Sequence, residues 1–351
     1  MAERLLVRDF MAKTAGNLLL DVRSPLEFSH AHIPGAVSLP LFTDDERKVV
    51  GTAYKQQGKQ QAIKLGLDFF APKMRPMVEE VERLLGEFDE VSGRNPTICM
   101  YCWRGGMRSA AVAWLLELYG FRVLLLAGGY KSFRNLVLST FEIPYRFRVL
   151  GGFTGSGKTE ILKALGNEGA PVIDLEQIAS HKGSAFGSIN MPPQPTQEMF
   201  ENILGTRLLG LANTPGPIWI EDESQRIGTV NVPNSLWQNM RSSPIVFLEI
   251  PFEERLGHLV AEYGPGDHER LRSAIERITK RLGGLETKNA LAALDENRIS
   301  DCFSILLKYY DKHYLKGLHN REGLEALLQR IPCERVSEDN ALLLSAKPMI
   351  A

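Results

Sequence analysis

The sequence predicts an α/β protein made of two parallel-sheet domains, the second ending in a mainly helical part. Three observations carry that prediction. Short apolar runs alternate with stretches of helical periodicity over roughly the first 140 residues. The same cadence restarts near Phe147, where an apolar run, a glycine-rich turn and a helical stretch follow one another. From about Glu269 onward the apolar residues recur only at helical spacing.

Length and composition agree. A chain of 351 residues has room for two domains. With 44% hydrophobic and 24% charged residues, it is neither disordered nor fibrous. Lys and Arg total 41 against 42 Asp and Glu, a net charge of -1. That excludes a strongly basic nucleic-acid coat protein but leaves room for a local basic cleft. No apolar stretch reaches the ~20 residues of a membrane span. The opening MAERLLVRDFMAKTAG lacks the apolar block of a secretory signal, and four cysteines in this length are no disulfide framework. The expectation is a soluble cytoplasmic protein with no membrane partner.

In chain order, strands are expected at Leu18–Val22, Ala36–Leu39, Thr97–Cys102 and Phe121–Ala127, with a helix over Arg108–Tyr119. The pattern runs out near residue 140. A second set begins with a strand at Phe147–Leu150 and a helix at Glu160–Leu165, then strands at Pro171–Asp174, Pro217–Ile220 and Pro244–Ile250. Helical stretches follow at LRSAIERITKRL and ALAALDENRISDCFSILLKYYDKHYL. The expected division is therefore 1–140, 145–265, and a helical part over 266–351 packed on the second domain.

The first chemical signal is Cys102 at a strand-to-helix turn, followed by Trp103-Arg104-Gly105-Gly106-Met107-Arg108. Glycines let such a loop aim its backbone N–H groups inward, a helix N-terminus adds partial positive charge, and Arg104 and Arg108 add full charges. Each lowers a thiol pKa, and the thiolate is the nucleophile. Cys99 reads as core instead: it lies three strand positions away, and with Cys302 and Cys333 isolated no second pair completes a zinc site. No metal centre is certain from the sequence.

The second signal is Gly152-Phe153-Thr154-Gly155-Ser156-Gly157-Lys158-Thr159, which fits G-x-x-x-x-G-K-[ST] between a strand and a helix. Backbone N–H groups would cradle a di- or triphosphate, Lys158 would reach the outer phosphate, and the Thr159 hydroxyl would face Mg²⁺. The strand Ile218-Trp-Ile delivers Glu221, Asp222 and Glu223 at its C-terminal end, where a Mg²⁺-holding acid belongs; the alternation leaves open which of them it is. Asp174 ends another strand and is either a further acid or a helix N-cap. Arg270, Arg272, Arg277 and Arg281 are either lid arginines over the phosphates or a solvated helix face.

Leu20-Asp21-Val-Arg23-Ser-Pro25-Leu-Glu27 with His30-Ala-His32-Ile-Pro-Gly35, the Cys102 loop and Ala127-Gly128-Gly129-Tyr130-Lys131 resemble the rhodanese homology domain in the right order. That resemblance implies sulfur or selenium transfer at Cys102, with Asp21 and Arg23 as a pair pinning the turn. A rhodanese-like domain ahead of a P-loop NTPase/kinase-like domain, with His181-Lys182-Gly183-Ser184-Ala-Phe186, Glu221-Asp-Glu-Ser224-Gln-Arg226 and Tyr309-Tyr310-Asp311, resembles the bacterial tRNA 2-selenouridine synthase family. It implies tRNA with 2-thiouridine at the wobble position as partner, and selenophosphate and geranyl diphosphate as co-substrates. Mg²⁺ is a candidate ion, a selenophosphate-producing enzyme a candidate partner, and no tightly bound organic cofactor is expected. Candidate tRNA or substrate contacts are Trp103, Lys131, His181, Lys182, Ser184, Phe186, Arg226 and Tyr310, with Arg134, Arg146 and Arg148 as further local positive charge.

Two other readings stay open on the sequence. One is a rhodanese sulfurtransferase fused to an ATP-dependent small-molecule kinase or sulfur-activating enzyme. The other makes the P-loop half an inactive phosphate sensor.

Overall fold

A strand that reads as an unbroken apolar run must be covered on both faces, which parallel sheets with helices on each side provide. LLLD, ICMY and VLLL are such runs, and every residue in them is buried. The computed structural model describes residues 2–92, 97–212, 214–264 and 266–346. Pro265 and residues 347–351, which fall within the expected second and third segments, lie outside the described residues. Two units form: one holds the chain up to Thr140 together with Glu201–Thr206, the other Phe141–Phe200 and the chain from Arg207 onward.

In the first unit the strands are β1 (Glu3–Leu5), β2 (Leu18–Asp21), β3 (Val37–Ser38), β4 (Ile98–Tyr101) and β5 (Val123–Leu126), all parallel in the order β1-β5-β4-β2-β3. The helices are α1 (Val7–Thr14), α2 (Pro25–His30), α3 (Asp44–Gln56), α4 (Lys59–Phe70), α5 (Met74–Ser92), α6 (Met107–Tyr119) and α7 (Gly129–Thr140). Pro25 opens α2, and the Glu27 carboxylate accepts from the Ser24 N–H at 3.1 Å. Helix α6 stops at Gly120, whose φ of +112° only glycine adopts readily. Leu20, Ile98, Met100, Val112, Leu116 and Leu125 are central to one continuous core. The sequence pattern did not reveal β1: three residues pairing with β5 at the sheet edge are too few to show a period.

The second unit has β6 (Phe147–Gly152), β7 (Val172–Ile173), β8 (Ile218–Glu221), the small ribbon β9 (Arg226–Ile227) and β10 (Val230–Asn231), β11 (Ile245–Glu249) and β12 (Leu328–Pro332). Its main sheet is parallel in the order β12-β11-β6-β8-β7. The helices are α8 (Lys158–Asn167), α9 (Leu175–Ala179), α10 (Gln197–Leu211, part of which counts with the first unit), α11 (Asn234–Arg241), α12 (Phe252–Tyr263), α13 (His268–Arg277), α14 (Thr279–Leu282), α15 (Gly284–Asp295), α16 (Ile299–His319), α17 (Leu324–Leu327) and α18 (Asn340–Ala346). Leu256, Leu259, Leu271, Ile275, Leu294, Phe303 and Leu306 make a separate helical core. The C-terminal part is not helical throughout. It returns β12 to the sheet edge beside β11, and Ala341 and Leu344 of α18 join the core that contains Ile161 and Leu165 of α8.

One buried ion pair fixes the entrance of the first unit. The Arg23 side chain, 1% exposed, donates Nε and Nη2 to the Asp21 carboxylate at 2.9 and 2.6 Å and Nη2 also to the Ala31 carbonyl at 2.6 Å. Its guanidinium lies 3.9 Å from the centre of the Tyr130 ring. Removing one partner strands the other charge in the interior. Arg23→Ala is expected to destabilise this unit by about 3–5 kcal/mol, and Arg23→Lys to recover little because an ammonium cannot make the planar fork. Calorimetric unfolding of the two variants against wild type measures this.

Candidate functional site

Cys102 follows the last residue of β4 and is only 3% exposed. Its Sγ lies 3.2 Å from Ser109 Oγ, and that hydroxyl also donates to the Gly106 carbonyl at 3.3 Å. Ser109 sits in the first turn of α6, whose N-cap Gly106 has no side chain to occupy the open amides. The thiol therefore lies against a helix N-terminus and a hydroxyl able to donate to a thiolate. The loop is locked to the next turn: Tyr130 N–H donates to Cys102 O at 2.8 Å and Lys131 N–H to Trp103 O at 3.0 Å. Glycine is required at that seam. A Cβ on Gly105 would sit 2.5 Å from Leu126 O, and one on Gly129 2.3 Å from Cys102 O, with both at φ of +61°.

Arg104 is exposed, whereas Arg108 is committed elsewhere. Its guanidinium donates to Glu27 at 2.7 and 3.4 Å, with Arg47 at 3.8 Å from the same carboxylate. Burial pushes Glu27 upward, but its bonds to Arg108 outweigh that and hold it below the usual carboxylate range. Arg108, expected with Arg104 to add charge beside the thiol, is paired with Glu27 and pins α6 to α2. Cys99 is core as expected. Its thiol contacts Lys13 O at 3.5 Å, and burial raises its pKa to about 11. Trp103 is 38% exposed with its ring 5.7 Å from Tyr130, and Lys131 is exposed. Arg134 is paired with Glu201 at 2.6 Å and Asn202 at 2.7 Å.

In the second unit the Gly152–Thr159 loop joins β6 to α8. Gly155 and Gly157 have φ of +80° and +68°, which turns the loop back over the helix N-terminus. Lys158 Nζ donates to Gly152 O at 3.2 Å, and Ser156 Oγ is buried without a partner among the described residues. Arg255, at the start of α12, clamps the loop from below. It donates to Thr154 O at 3.1 Å and Ile250 O at 3.2 Å, and grips Asp311 of α16 at 2.9 and 2.8 Å. Tyr314 adds a second tie, accepting from Gly152 N–H at 3.3 Å and donating to Asp222 at 2.6 Å.

The three acids after β8 separate by role. Asp222 faces Tyr314 and Arg321, the latter at 2.6 Å, and is structural. Glu221 Oε2 accepts the amides of Leu175 and Glu176 at 2.6 and 3.2 Å, which caps α9 from outside. Glu223 turns instead to Glu176, with which it shares a hydrogen bond near Lys158. Asp174 is the α9 N-cap, accepting from Gln177 N–H at 2.6 Å. Thr159 Oγ1 donates to Glu176 at 3.3 Å. The sequence reading missed Glu176, since an acid in a helix's first turn looks like dipole complementation. Burial first, then the neighbouring carboxylates, raises Glu221 and Glu223 far above the ordinary carboxylate value; Glu176 is raised by burial against the pull of Lys158. Both carboxyls are raised by burial, so the two titrate as a pair that holds a proton between them.

The segment between α9 and α10 lies over this cluster. A Cβ on Gly183 would sit 2.7 Å from the Glu223 carboxylate. His181 is buried against Gly187 and Gly228, and burial, with Arg277 adding to it, lowers its pKa. Lys182 pairs with Glu262, and Ser184 Oγ accepts from Phe186 N–H at 3.2 Å. Phe186 corrects an expectation: it is 4% exposed, packed on Phe303 and Tyr310, and belongs to the helical core rather than to a base-stacking surface. Tyr310 accepts from Ala185 N–H at 3.2 Å, so it braces the same segment. Arg226 is exposed and folds back on Gly228 O at 2.9 Å. Arg148 stacks over Trp219, and burial lowers its pKa with Arg146 nearby. Among the described residues no cluster of three or more His, Cys, Asp or Glu has the arrangement to hold a metal by itself, and no helix is long and apolar enough to cross a membrane.

The chain matches two family models, a rhodanese-like domain over residues 7–136 and a tRNA 2-selenouridine synthase AAA domain over residues 145–330. It is 38% identical over 282 residues to the tRNA 2-selenouridine synthase of Nitrosomonas europaea, covering 78% of this chain and 70% of that one. It is also 38% identical over 329 residues to the protein of that name from Hydrogenovibrio crunogenus, covering 84% and 88%. To that of Sulfurovum sp. it is 36% identical over 340 residues, covering 87% and 90%.

The proton held between Glu176 and Glu223 has a measurable consequence. A carboxyl whose folded pKa is raised above the usual 4.5 stabilises the fold fully below that pH and loses this as pH rises through the raised value. Each unit of elevation is worth about 1.4 kcal/mol. Glu223→Gln keeps a neutral hydrogen-bonding group, so its melting temperature is expected to fall less than that of wild type between about pH 5 and about pH 9. Calorimetric scans across that range test the assignment.

Proposed function

The chain belongs to the tRNA 2-selenouridine synthase family, and we propose that it replaces the 2-thio sulfur of the tRNA wobble uridine with selenium. In this reading geranyl diphosphate and selenophosphate are the co-substrates. The uridine sulfur attacks the geranyl C1, the C–O bond breaks with its electrons on diphosphate, and N3 gives up its proton. The S-geranyl group is then a better leaving group than the thione. Selenium of selenophosphate attacks C2, the C2–S bond breaks, and geranylthiol departs with a proton. Water cleaves the P–Se bond to release phosphate, and N3 regains its proton.

The observation that carries the proposal is the meeting of Lys158 and Thr159, on a P-loop, with the Glu176–Glu223 pair. Loop amides and Lys158 suit a diphosphate leaving group. Oxygens of Thr159, Glu176 and Glu223 fit Mg²⁺ with phosphate oxygens completing its shell, and the ion would supply charge neutralisation there. Two carboxylates too close for both to ionise readily would give up their shared proton on binding it. In the first unit Cys102, against Ser109 and the α6 N-terminus, serves the selenium step with Arg104 as the accessible cation. Trp103, partly exposed beside that thiol, offers a stacking face for an extruded base.

The purified protein is to be incubated with tRNA containing 2-thiouridine, with geranyl diphosphate and selenophosphate given separately and together, and the nucleosides analysed by mass. A geranylated nucleoside with the first and a sulfur-to-selenium change with both are expected. Lys158→Ala is expected to lower geranylation by about 100-fold or more, and Cys102→Ser to abolish selenation while sparing geranylation. Unchanged tRNA with ATP consumed instead would replace this reading by the sulfurtransferase–kinase fusion. Full modification by Lys158→Ala would make the P-loop unit a sensor.

A further inference from the structure

A cavity of about 290 Å³ opens between the segment that covers the carboxylates and helix α13, lined by Ser188, Ile189, Arg270, Ser273 and Arg277. Arg270, Ser273 and Arg277 stand at positions i, i+3 and i+7 of α13, so they share one helix face, with the two arginines ~10 Å apart along the axis. Arg277 Nη2 is anchored on the Ala185 carbonyl at 2.9 Å, which leaves its other donors for the cavity. Arg270 carries an exposed pairing with Asp267 at 3.4 Å, a contact that an anion can replace at little cost.

Building on the proposed tRNA reaction, we propose that this cavity is a seat for a backbone phosphodiester of the RNA substrate. Two guanidiniums and two hydroxyls are the donor set for a phosphate group, and arginine's fork suits it better than an ammonium. The lining holds no carboxylate to repel an anion. It holds no aromatic ring to stack a base, and Ile189 is too little apolar surface for a geranyl chain. Position agrees as well. Ser188 and Ile189 belong to the same segment as Gly183, which abuts Glu223, so a phosphate held here lies along the cover of the P-loop acids. A chain of net charge -1 must gather its positive field locally to bind a polyanion, and this helix face does so.

Full-length protein and an unmodified tRNA transcript provide the test, read by fluorescence anisotropy across a salt series. Arg270→Gln is expected to weaken binding by about 5–10-fold near physiological salt and reduce the log–log salt slope by about one. Ser273→Asp, on an exposed position, is expected to weaken it further. Arg272→Gln removes the same charge from the same helix, but Arg272 pairs with Asp295 outside the cavity, so it is expected to bind within about twofold of wild type. Geranyl diphosphate affinity is expected to be unchanged in all three. Wild-type tRNA affinity in Arg270→Gln and Ser273→Asp would overturn the proposal, as would equal losses in Arg270→Gln and Arg272→Gln. So would weakened geranyl diphosphate binding with intact tRNA binding, which would assign the cavity to the donor. Failure of the synthase reading is visible separately, as wild-type protein that yields no modified nucleoside.

Discussion

Each of the two glycine-rich loops, at Cys102 and at Gly152–Thr159, rests on a buried guanidinium that the protein keeps for itself. In the first unit Arg23 binds Asp21, reaches the Ala31 carbonyl and lies under Tyr130, whose own amide holds the Cys102 carbonyl. In the second, Arg255 ties the Thr154 carbonyl of the phosphate loop to Asp311 of α16. A loop that presents amides to an anion is built from glycines with positive φ, and such a loop has little rigidity of its own. A fully hydrogen-bonded guanidinium beneath it supplies the missing constraint, because its planar fork fixes several acceptors in one geometry. Such buried pairs contribute to geometry more surely than to net stability.

The same logic sorts the acids around the phosphate loop. Carboxylates are costly to bury beside one another, yet Asp174, Glu176, Glu221 and Glu223 lie together. Asp174 caps α9, and one oxygen of Glu221 accepts the Leu175 and Glu176 amides while its other oxygen is buried without a partner among the described residues. That leaves Glu176 and Glu223 facing Lys158 with one shared proton. Their charge is thereby limited, which would favour the approach of the diphosphate proposed for this loop. Asp222, the residue between them, points the other way, as strand alternation requires, and serves α16 through Tyr314.

Local pattern was enough for much of this. β2, β4, β5, β6, β8 and β11 are apolar runs whose burial on both faces is written in their composition, and both glycine-rich loops follow directly from strand, glycine and helix in sequence. What could not be read is what depends on distant partners. LQRIP becomes β12 only because β11 offers it an edge. Arg108 reads as a charge beside the thiol until α2 places Glu27 against it, and Phe186 as a candidate substrate contact until α16 encloses it. The roles of Glu176, Arg255 and Tyr314 show in no local pattern, since each acts on a segment dozens of residues away or on a cluster assembled by the fold.

A near-neutral chain that acts on a polyanion has to divide its charges by position, and the arginines here are divided so. Among the described residues the buried arginines, Arg23, Arg255 and Arg321, are paired with aspartates and lend little to the external field. Among the arginines named as candidates, Arg108 and Arg134 are likewise spent on Glu27 and Glu201. Arg104 beside the thiol, and Arg270 with Arg277 on one face of α13, keep donors toward solvent. Exposed guanidiniums on helical faces act over a Debye length and then by direct contact, so they steer a polyanion first and position it second. Base chemistry then needs only the local loops, which explains why the chain can do without the overall basic charge of a nucleic-acid coat protein.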